Sequence, residues 1–538
     1  MLFKNLIGIS QNTVGLLTYD ENQTFEGYTL LYPFNQPNVY LINNCGEVVH
    51  QWEDSDDFVP GNSVYLLENG NLLKTKRPKG FVPESFTAGG SGGIIELLDW
   101  ENNVLWSKTI LDSLNRAHHD VSVLPNQNIL VLAWERKTIE EAIAAGRDTS
   151  LNNGQEIWID YLVEYNPLND SLVWEWHAWD HLVQDYDSTK SNYGVVDNPG
   201  RIDINYITDF SGRPDWMHTN SIEYNARLDQ ILLSVAFFEE IWIIDHSTTI
   251  DEAGSSLGGG SNKGGDLLYR WGNPVTFNAG TVNNQKLFFQ HNAEWLYNND
   301  STDVKISVFN NRIDGTYSAG CVLSPSFSEV TGQYDRLDGT YLPSDFEYCE
   351  VHPDTLLGFS SNMSSYQILD NGNRLFCAAQ NGYLYELGED GIVWSYKVPF
   401  KNGLQVPQYQ ELNQGDNVVF RALKYGIDFP AFQNKHLEPV GYLELNPDDE
   451  FCSKTSYRIE AAANSTVNLF PMPLIGDRIL NVYVDSEQSI FNYEVRNIHG
   501  SIVKKGRVYN QGQINLSNLL SGFYTLSLNR FTHKLFLK

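Results

Sequence analysis

Three stretches of the chain place a histidine beside an aspartate or asparagine where a strand-like run begins. The runs read RAHHDVSVL, DWMHTNSI and FFQHNAEWL, and they start at Arg116, Asp215 and Phe288. Clustered imidazoles bind zinc, iron or copper, and they also act as nucleophiles and as general acids or bases in group transfer. Asn220 and Asn292 are poor metal ligands but good hydrogen-bond donors to a developing anion. Either chemistry requires a fold that brings distant histidines together.

A repeated phrase in the sequence predicts such a fold. In five places a turn of Asn, Gly or Asp leads into an apolar strand that carries tryptophan: Trp52, Trp106, Trp174, Trp271 and Trp394. A short strand precedes most of these, and a hairpin with a turn signal follows most of them. Four strands over about 40–50 residues are typical of a β-propeller blade. The chain therefore predicts an all-β fold, a six-bladed β-propeller followed by a small C-terminal β-sandwich.

The connections between blades are also informative. Polar inserts at 183–213, 251–264 and 314–358 lengthen the later units, and inserts on a propeller emerge at its faces, where they commonly shape a binding site. Thr138–Gly146 is expected to form a short helix with a glycine stop. Gly441–Pro447 resembles the strand before a tryptophan strand. We expect it to complete a blade begun by the N-terminal residues and so close the ring.

Composition and charge indicate the expected partners, the domain boundary and the state of the cysteines. The formal charge of −31 excludes nucleic acid and anionic membranes as expected partners, and no run of 18 apolar residues predicts a membrane span. Residues 455–538 carry nine Lys/Arg against five Asp/Glu, a net charge of +4, so two domains are predicted, at 1–454 and 455–538. Cys45 and Cys452 lie near the two ends of the large domain. A closing disulfide and buried thiols are the alternatives for them.

Within the repeat, the polar residues of interest share one phase. Aligned on the leucines of the inner strands, six of them are equivalent or within one residue of equivalence: Asn62, His119, His218, Asn220, His291 and Ser364. The inner strands of a propeller line its channel, and their first residues meet at one mouth. We therefore expect the histidines to converge there. Each alone also has the simpler interpretation of a hydrogen-bonded blade histidine, which three at one phase disfavour.

The succession HHDVSVLPNQNILVLAWE, DWMHTNSIEYN and FFQHNAEWL, with the phrases NNVLWS and VWEWH, resembles the aryl-sulfate sulfotransferase family over residues 15–452. The resemblance implies a six-bladed propeller that moves a sulfuryl group from a phenolic sulfate to a phenolic acceptor, with no cofactor and no nucleotide donor. The glycine-rich runs at 88–93 and 258–265 lack the frame of a phosphate-binding loop, which agrees with that implication.

The same resemblance implies roles for individual residues. His291 is expected to be the nucleophile, which forms a transient sulfohistidine, and His218 and Asn220 match the HxN motif that binds sulfuryl oxygens or protonates the leaving aryl oxide. His119 matches the histidine of the HD motif, with His118 as the alternative in that register. Apart from the resemblance, the residue types themselves indicate two further substrate-binding candidates: Asn292, and His181 in the aromatic run 174–181, whose tryptophans blade packing explains at least as well.

One departure from the family pattern concerns a cation. The family places an arginine on the strand after the HxN motif, where this chain has Ser234-Val235-Ala236-Phe237-Phe238. Three arginines that follow an inner hairpin or channel strand are candidates to replace it: Arg77, Arg136 and Arg312.

The C-terminal segment resembles the type A sorting domain of the type IX secretion system, through Asn468–Pro473, Ile498–Gly500, Leu519–Tyr524 and Lys534–Lys538. This implies secretion or a cell-surface location and contact with the secretion machinery. The N-terminus shows no evident signal peptide, and we expect the true start to lie upstream. The leading hypothesis is a secreted, nucleotide-independent sulfotransferase. The alternatives are a metal-dependent enzyme using the same histidines and a binding propeller without catalysis.

Overall fold

The computed structural model describes residues 12–81, 87–151, 156–206, 213–296, 304–448, 450–452, 467–470, 478–484, 490–497, 501–509, 511–528 and 531–537. The chain forms two compact units, Met1–Asp449 and Glu450–Lys538.

Six antiparallel sheets of four or five strands build the described part of the first unit, and we number them along the chain, each from its innermost strand outward. Sheet 1 contains Leu423–Gly426, Gly27–Leu31, Val39–Ile42, Glu47–Trp52 and Gly441–Tyr442. Sheet 2 contains Phe58–Leu66, Leu72–Pro78, Ile94–Leu98 and Val104–Thr109. Sheet 3 contains Asn115–Val123, Ile129–Lys137, Ile157–Asn166 and Ser171–His177.

The remaining sheets repeat this pattern. Sheet 4 contains Thr219–Asn225, Gln230–Val235, Glu240–Asp245 and Tyr269–Trp271. Sheet 5 contains His291–Leu296, Lys305–Ile313, Tyr317–Leu323 and Tyr348–Glu350. Sheet 6 contains Ser365–Ile368, Arg374–Ala378, Tyr383–Gly388, Gly391–Lys397 and Gly15–Tyr19. The middle strands are largely buried because neighbouring sheets cover both faces, and all six residues of Gln230–Val235 are buried.

Hydrogen bonds join the six innermost regions in one cycle. Each bond links one sheet to the next, and the pairs run Ser63–Asp120, Asp120–Ile222, Ser221–Ala293, Asn292–Tyr366, Ser365–Ala422 and Tyr425–Leu66. The predicted all-β propeller is thus confirmed. The count of six blades stays a prediction, with which these six sheets agree.

Both ends of the first unit take part in this closure. Leu423–Gly426 is the innermost strand of sheet 1 and pairs with Gly27–Leu31, while Gly15–Tyr19 adds to the outer edge of sheet 6. Gly441–Tyr442 joins sheet 1 as predicted, but at its outer edge, against Glu47 and Val48. The closing inner strand therefore comes from a segment that the sequence analysis did not single out.

The repeated tryptophans mark the fourth strand of their sheets, and their indole N–H groups reach into the next sheet or its insert. Trp52 donates to Asp99 O, Trp106 to Asp170 Oδ1, Trp174 to Thr248 Oγ1, Trp271 to Pro343 O and Trp394 to Asn44 O. A buried indole needs a partner for its N–H. The repeat thus connects sheets as well as filling the space between them.

The remaining elements are short. Helix α1, Ile139–Ala144, forms as predicted, and Thr138 and Glu141 close a capping box at its start. A second α-helix is Ile250–Ala253, and the 3₁₀ helices are Ala178–His181, Pro274–Phe277, Val282–Asn284, Ala379–Asn381 and Pro430–Phe432. Two-residue strands pair at Leu182–Val183 with Ile202–Asp203, Phe327–Ser328 with Gln333–Tyr334, Arg336–Leu337 with Thr340–Tyr341, and Phe400–Lys401 with Leu404–Gln405.

Four cysteines are oxidised. Cys321 and Cys349 form a disulfide between neighbouring strands of sheet 5. Cys45 and Cys452 are also disulfide-bonded, and Cys377 is a buried free thiol. The alternative of buried thiols for Cys45 and Cys452 is therefore wrong. Disulfides are typical of proteins that fold outside the reducing cytosol.

The second unit is a small β-structure with its own core. Val467–Phe470, Ile479–Val484 and Gln511–Asn515 form one sheet. Ile502–Tyr509, Ile490–Asn497, Gly522–Leu528 and Phe531–Leu537 form another. Leu480, Val495, Leu526 and Leu535 are among the apolar side chains buried in its core. In the described part of the chain, no helix has the length and apolar character to cross a membrane.

Candidate active site

The candidate residues lie at the start of an innermost strand, as do His218, His291 and Ser364, or at its centre, as do Asn62 and His119, and the backbone there has an unusual shape. Five of these positions have positive φ without being glycine: Asn62, His119, His218, Asn292 and Ser364. The strand registers of sheets 2, 3, 4 and 5 are irregular beside them, as at a β-bulge. Non-glycine residues with positive φ occur preferentially at functional sites. By backbone conformation, Asn292 rather than His291 is equivalent to His119 and His218.

His119 and His218 form the centre of the cluster. Their rings are in contact, with centroids 4.6 Å apart in an edge-to-face arrangement. Burial, with the nearby His218, His118, His291 and Arg421, holds the pKa of His119 well below its usual range. His119 is thus a neutral imidazole.

Asp215 orients His218. The Nδ1–H group of His218 donates to Asp215 Oδ2 at 2.5 Å, so Nε2 is the nitrogen left for chemistry. The ring also stacks on Phe237 at 4.5 Å. A carboxylate on one nitrogen is the usual device for fixing a histidine tautomer and for stabilising its protonated form.

His118 lies behind this pair. Its Nδ1 shares a hydrogen bond of 2.8 Å with Nδ1 of His119, and its ring stacks on Trp134 at 3.8 Å. Its Nε2 lies 3.3 Å from Asp160 Oδ1. His118 therefore supports the ring of His119, and the structure brings the two adjacent histidines into one network.

His291 is buried at the start of the inner strand of sheet 5. Its Nδ1–H group donates to Asn311 Oδ1 at 2.9 Å and lies 3.1 Å from Phe289 O, and its Nε2 accepts the N–H of Met363 at 3.1 Å. Burial lowers its pKa to about 3. Two acceptors at Nδ1 fix the tautomer, so Nε2 carries the lone pair.

The two asparagines have different surroundings. Asn220 donates to Gln290 O at 2.7 Å, beside His291, and its buried Oδ1 has no partner among the described residues. Asn292 donates to Glu294 and accepts the N–H of Tyr366. Asn220 thus lies at the cluster, whereas the amide of Asn292 joins the inner strands of sheets 5 and 6.

His181 is held apart from these residues. It ends the 3₁₀ helix Ala178–His181, stacks on Trp176, and its ring nitrogens contact Asp266 Oδ1 and Ala253 O, each at 2.8 Å. Its contacts are thus with residues outside the histidine cluster. Among the described residues, no group of three or more His, Cys, Asp or Glu is arranged to hold a metal ion.

The family model for arylsulfotransferase (ASST) matches residues 34–389, which is more than half of the 538-residue chain and contains every histidine of the cluster. The chain belongs to the arylsulfotransferase family. Residues 468–538 match the secretion system C-terminal sorting domain. This domain indicates export by type IX secretion.

No curated protein matches the chain. Solved structures similar to it include a protein of unknown function from Bacteroides caccae, with 12% identity and a TM-score of 0.39 over 74% of this chain and 98% of that one. The periplasmic gluconolactonase of Pseudomonas aeruginosa has 10% identity and a TM-score of 0.28 over 74% and 99%. Similarities this low do not indicate the function of this arylsulfotransferase-family chain.

The segment where the family has its arginine is filled by aromatic rings. Ala236 and Phe237 are buried, and Phe237 packs on Phe289 with ring centroids 5.9 Å apart. The guanidinium carbon of Arg312 lies 3.9 Å from the centroid of Phe289, and its Nε donates to Ser361 O at 2.7 Å. Its charge contributes to the lowered pKa of His291. Arg312 is therefore a cation beside the cluster.

The other predicted substitutes differ. Arg136 donates to Glu156 at 2.6 Å in an ordinary ion pair. Arg77 lines a separate cavity with Gly89 and Gly90.

Sequence reasoning missed a further arginine. Arg421 is buried and pairs with Asp120 at 3.0 Å, and it also donates to the Tyr65 hydroxyl. It precedes the closing inner strand Leu423–Gly426, which carries no histidine and no tryptophan signal. Asp215 was within a quoted motif, and its spacing of three residues from His218 is the signal that identifies it. Asn311 has no local signal, because only strand pairing brings it to His291.

Proposed function

We propose that the first unit transfers a sulfuryl group from an aryl sulfate to a phenolic acceptor through a covalent adduct on His291. Family membership supports sulfotransferase function in general. The observation that carries the finer proposal is the set of neutral, buried imidazoles, with a pKa of about 3 for His291 and one well below its usual range for His119. A neutral imidazole keeps the lone pair that a nucleophile requires.

In the first step, His291 Nε2 attacks sulfur, an N–S bond forms, and the bond from sulfur to the aryl oxygen breaks with its electron pair on the oxygen. In the second step, the acceptor oxygen attacks the same sulfur and the N–S bond breaks. The Nδ1 hydrogen bond to Asn311 directs the reacting lone pair to Nε2. Asn311 is itself fixed, because its amide donates to Ser360 O and Met363 O.

His218 supplies the proton for the leaving oxide and recovers it from the acceptor, so the protons balance over one cycle. Asp215, 2.5 Å from Nδ1, stabilises the protonated ring. A phenol has a pKa near ~10, so a phenolate leaves tolerably but gains from a proton at neutral pH. His119, in ring contact with His218, keeps the donor site dry and positions that ring.

The sulfuryl oxygens require donors. Arg312 supplies the guanidinium, since its Nε is held by Ser361 O and its plane lies over Phe289. The Met363 N–H must leave Nε2 when sulfur binds there, and it then faces a sulfuryl oxygen. Asn220 has a second amide hydrogen besides the one given to Gln290 O, and this serves the same group.

The experiment is to mix the protein with 4-nitrophenyl sulfate in the absence of acceptor, quench it and map sulfuryl adducts by mass spectrometry. We expect one adduct, on the peptide containing His291, that disappears when a phenol is added. The His291→Ala variant is the matched control. Nitrophenol release with an adduct elsewhere, or release by His291→Ala at the parent rate, overturns the proposal.

A second candidate is a secreted binding propeller without catalysis. The observation in its favour is that both ring nitrogens of His291 already have partners, Asn311 and the Met363 N–H. It predicts 4-nitrophenyl sulfate binding without release of nitrophenol, which the same experiment reveals.

We further propose that the protein acts outside the cell after recognition of its C-terminal domain by the secretion machinery. The sulfur donor and the acceptor are then small phenolic molecules in the surroundings. Deleting residues 455–538 is expected to leave the remaining protein inside the envelope, and continued export of that variant overturns this part.

A further inference from the structure

A cavity of about 290 Å³ lies next to the histidine cluster and is not used by the mechanism above. Its wall on the cluster side is the backbone of Gly89 and Gly90. A side-chain carbon added at Gly90 would lie 1.9 Å from His119 Cε1, and one at Gly89 would lie 3.5 Å from His218 Cε1. At Gly90, only a residue without a side chain fits between the cavity and the ring of His119, whereas the 3.5 Å at Gly89 is an ordinary contact with His218.

This wall is held in place. Gly90 O accepts the backbone N–H of His119 at 2.8 Å and the Asn62 amide at 2.6 Å. Gly90 has φ of +78°, which a residue with a side chain rarely adopts. The cavity is therefore a fixed neighbour of the site.

The cavity contains one cation. Arg77, in the second strand of sheet 2, is half-buried and lines the cavity, and its side chain makes no ion pair or hydrogen bond within the described residues. Its pKa is lowered by burial, and no nearby carboxylate raises it. Buried or partly buried charges are normally paired, because desolvation is costly.

The carboxylates of this sheet are on the other face. Lys74 and Lys76 pair with Asp54 and Glu96 at distances of 2.6 to 3.9 Å. Successive side chains of a strand point to opposite faces, so Arg77 is directed away from those acids. Among the residues that the structure describes, the strand thus has neutralised cations on one face and a cation without an acidic partner on the other.

The remaining walls combine apolar and polar residues. Phe34, Pro60, Phe81 and Ala88 line the cavity together with Asn62, Thr87 and Ser91. Apolar walls with a few convergent polar groups and a charge are the usual composition of a small-molecule site. A guanidinium recognises a carboxylate or sulfate through paired N–H groups.

We propose that this cavity binds an aromatic acid, a phenol whose ring carries a second anionic group such as a carboxylate. The ring lies between Phe34 and Phe81, and the anion binds Arg77. This assignment rests on the proposed function in one respect, that the bound phenol is the acceptor, whose hydroxyl reaches the histidines beside Asn62 rather than through the Gly89–Gly90 backbone. The binding itself requires no turnover.

The first test measures binding alone, by calorimetry with the full-length His291→Ala protein. We expect 4-hydroxybenzoate to bind at least 10-fold more tightly than phenol, and Arg77→Met to remove that difference while leaving phenol unchanged. Arg136→Met is the matched control, because Arg136 lies near the end of the corresponding strand of sheet 3 and is paired with Glu156. Equal binding of the two phenols, or an unchanged preference in Arg77→Met, overturns the proposal.

The second test determines whether the anion that binds Arg77 belongs to the acceptor or to the sulfate donor. With 4-nitrophenyl sulfate as donor, Arg77→Met is expected to raise the KM for 4-hydroxybenzoate about 10-fold and to leave the KM for phenol and for the donor within 2-fold. A raised donor KM with both acceptors overturns the acceptor role and assigns the cavity to the donor. Selective binding without any transfer contradicts the proposed function and retains the aromatic-acid site.

Discussion

Two histidines in neighbouring sheets show opposite uses of the same side chain. His291, at the inner edge of sheet 5, has an amide, a carbonyl and a backbone N–H around it, and its pKa falls to about 3. His246 follows the third strand of sheet 4, where it lies 2.7 Å from Asp229 and 2.8 Å from Glu164. Hydrogen bonds and charge attraction to these two acids outweigh its burial and raise its pKa to about 9.

The difference shows what the fold provides at each place. At the periphery, the protonated ring of His246 lies between acids of two sheets, Asp229 and Glu164, and connects the sheets by ion pairs. At the mouth of the inner strands, neutral groups and burial keep the imidazole uncharged. A nucleophile requires the second environment and a structural ion pair the first. The number of histidines is therefore less informative than the groups that face them.

The largest difference in activity is expected between the two single variants in which His291 or His246 is replaced by alanine. His291→Ala removes the proposed nucleophile, and we expect transfer from 4-nitrophenyl sulfate to fall on the order of 10³-fold or more. His246→Ala is expected to keep activity within about 2-fold and to lower the free energy of unfolding by about 2 kcal/mol, because it leaves Glu164 without its cation. Steady-state rates and urea unfolding measure both. Similar losses of activity in the two variants contradict the contrast.

Asp215 is the exception within the cluster, since it gives His218 the acid that His291 lacks. Asp215→Asn keeps the size of the side chain, and we expect kcat to fall about 10²-fold. The loss should be larger for donors whose phenol has a high pKa, because these depend most on the proton from His218. A series of substituted phenyl sulfates tests this dependence. A uniform loss across the series indicates a purely structural role.

Arg312 and Arg136 occupy comparable places in sheets 5 and 3 but have different partners. Arg312→Met is expected to lower kcat/KM for the aryl sulfate by about 10- to 100-fold, because the sulfuryl oxygens lose the paired N–H donors of the guanidinium. Arg136→Met, which breaks the ion pair with Glu156, should stay within 2-fold. Arg312→Lys should recover part of the rate. An unchanged rate in Arg312→Met means that the sulfuryl group is held by other donors.

Much of this arrangement was predictable from the sequence, because turns and tryptophans repeat with the blades. The repeat predicted the all-β propeller, the fourth-strand position of the tryptophans and the phase of His119 and His218. It did not predict Leu423–Gly426 as the closing inner strand, since this short segment has no turn or tryptophan signal. It also placed His291 one residue out of phase, because the bulged backbone puts Asn292 at the equivalent position.

The partners of the site residues were harder to predict. Met363 N–H reaches His291 from the next sheet, and Arg421 reaches Asp120 across a separation of 301 residues. Such contacts depend on ring closure and strand register, which no local pattern encodes. That the Arg77 side chain has no acidic partner in the described part of the chain likewise depends on which face of its strand the acids occupy.

The smallest but most general consequence of the comparison is a difference in how stability changes with pH. For His246 the folded pKa of about 9 lies above the ordinary histidine value of 6.5. Its contribution is fully present below pH 6.5 and is lost as pH rises toward 9, by an amount on the order of 3 kcal/mol. For His291 the folded pKa of about 3 lies below 6.5. The unfolded chain then binds the extra proton, so stability falls as pH decreases from 6.5, by at most about 1.4 kcal/mol per pH unit.

The two opposite pH dependences can be separated by subtracting the stability of each variant from that of the parent protein at each pH. We expect His246→Gln to lose stability relative to the parent below pH 6.5 and to approach it near pH 9, because the ion pair contributes nothing there. His291→Gln should show the reverse trend, with the variant gaining on the parent as pH falls below 6.5. Urea midpoints measured from pH 5 to 9 for the three proteins provide the two difference curves. Parallel curves for parent and variants would mean that neither histidine has a shifted pKa, and the electrostatic contrast between the two regions would then be wrong.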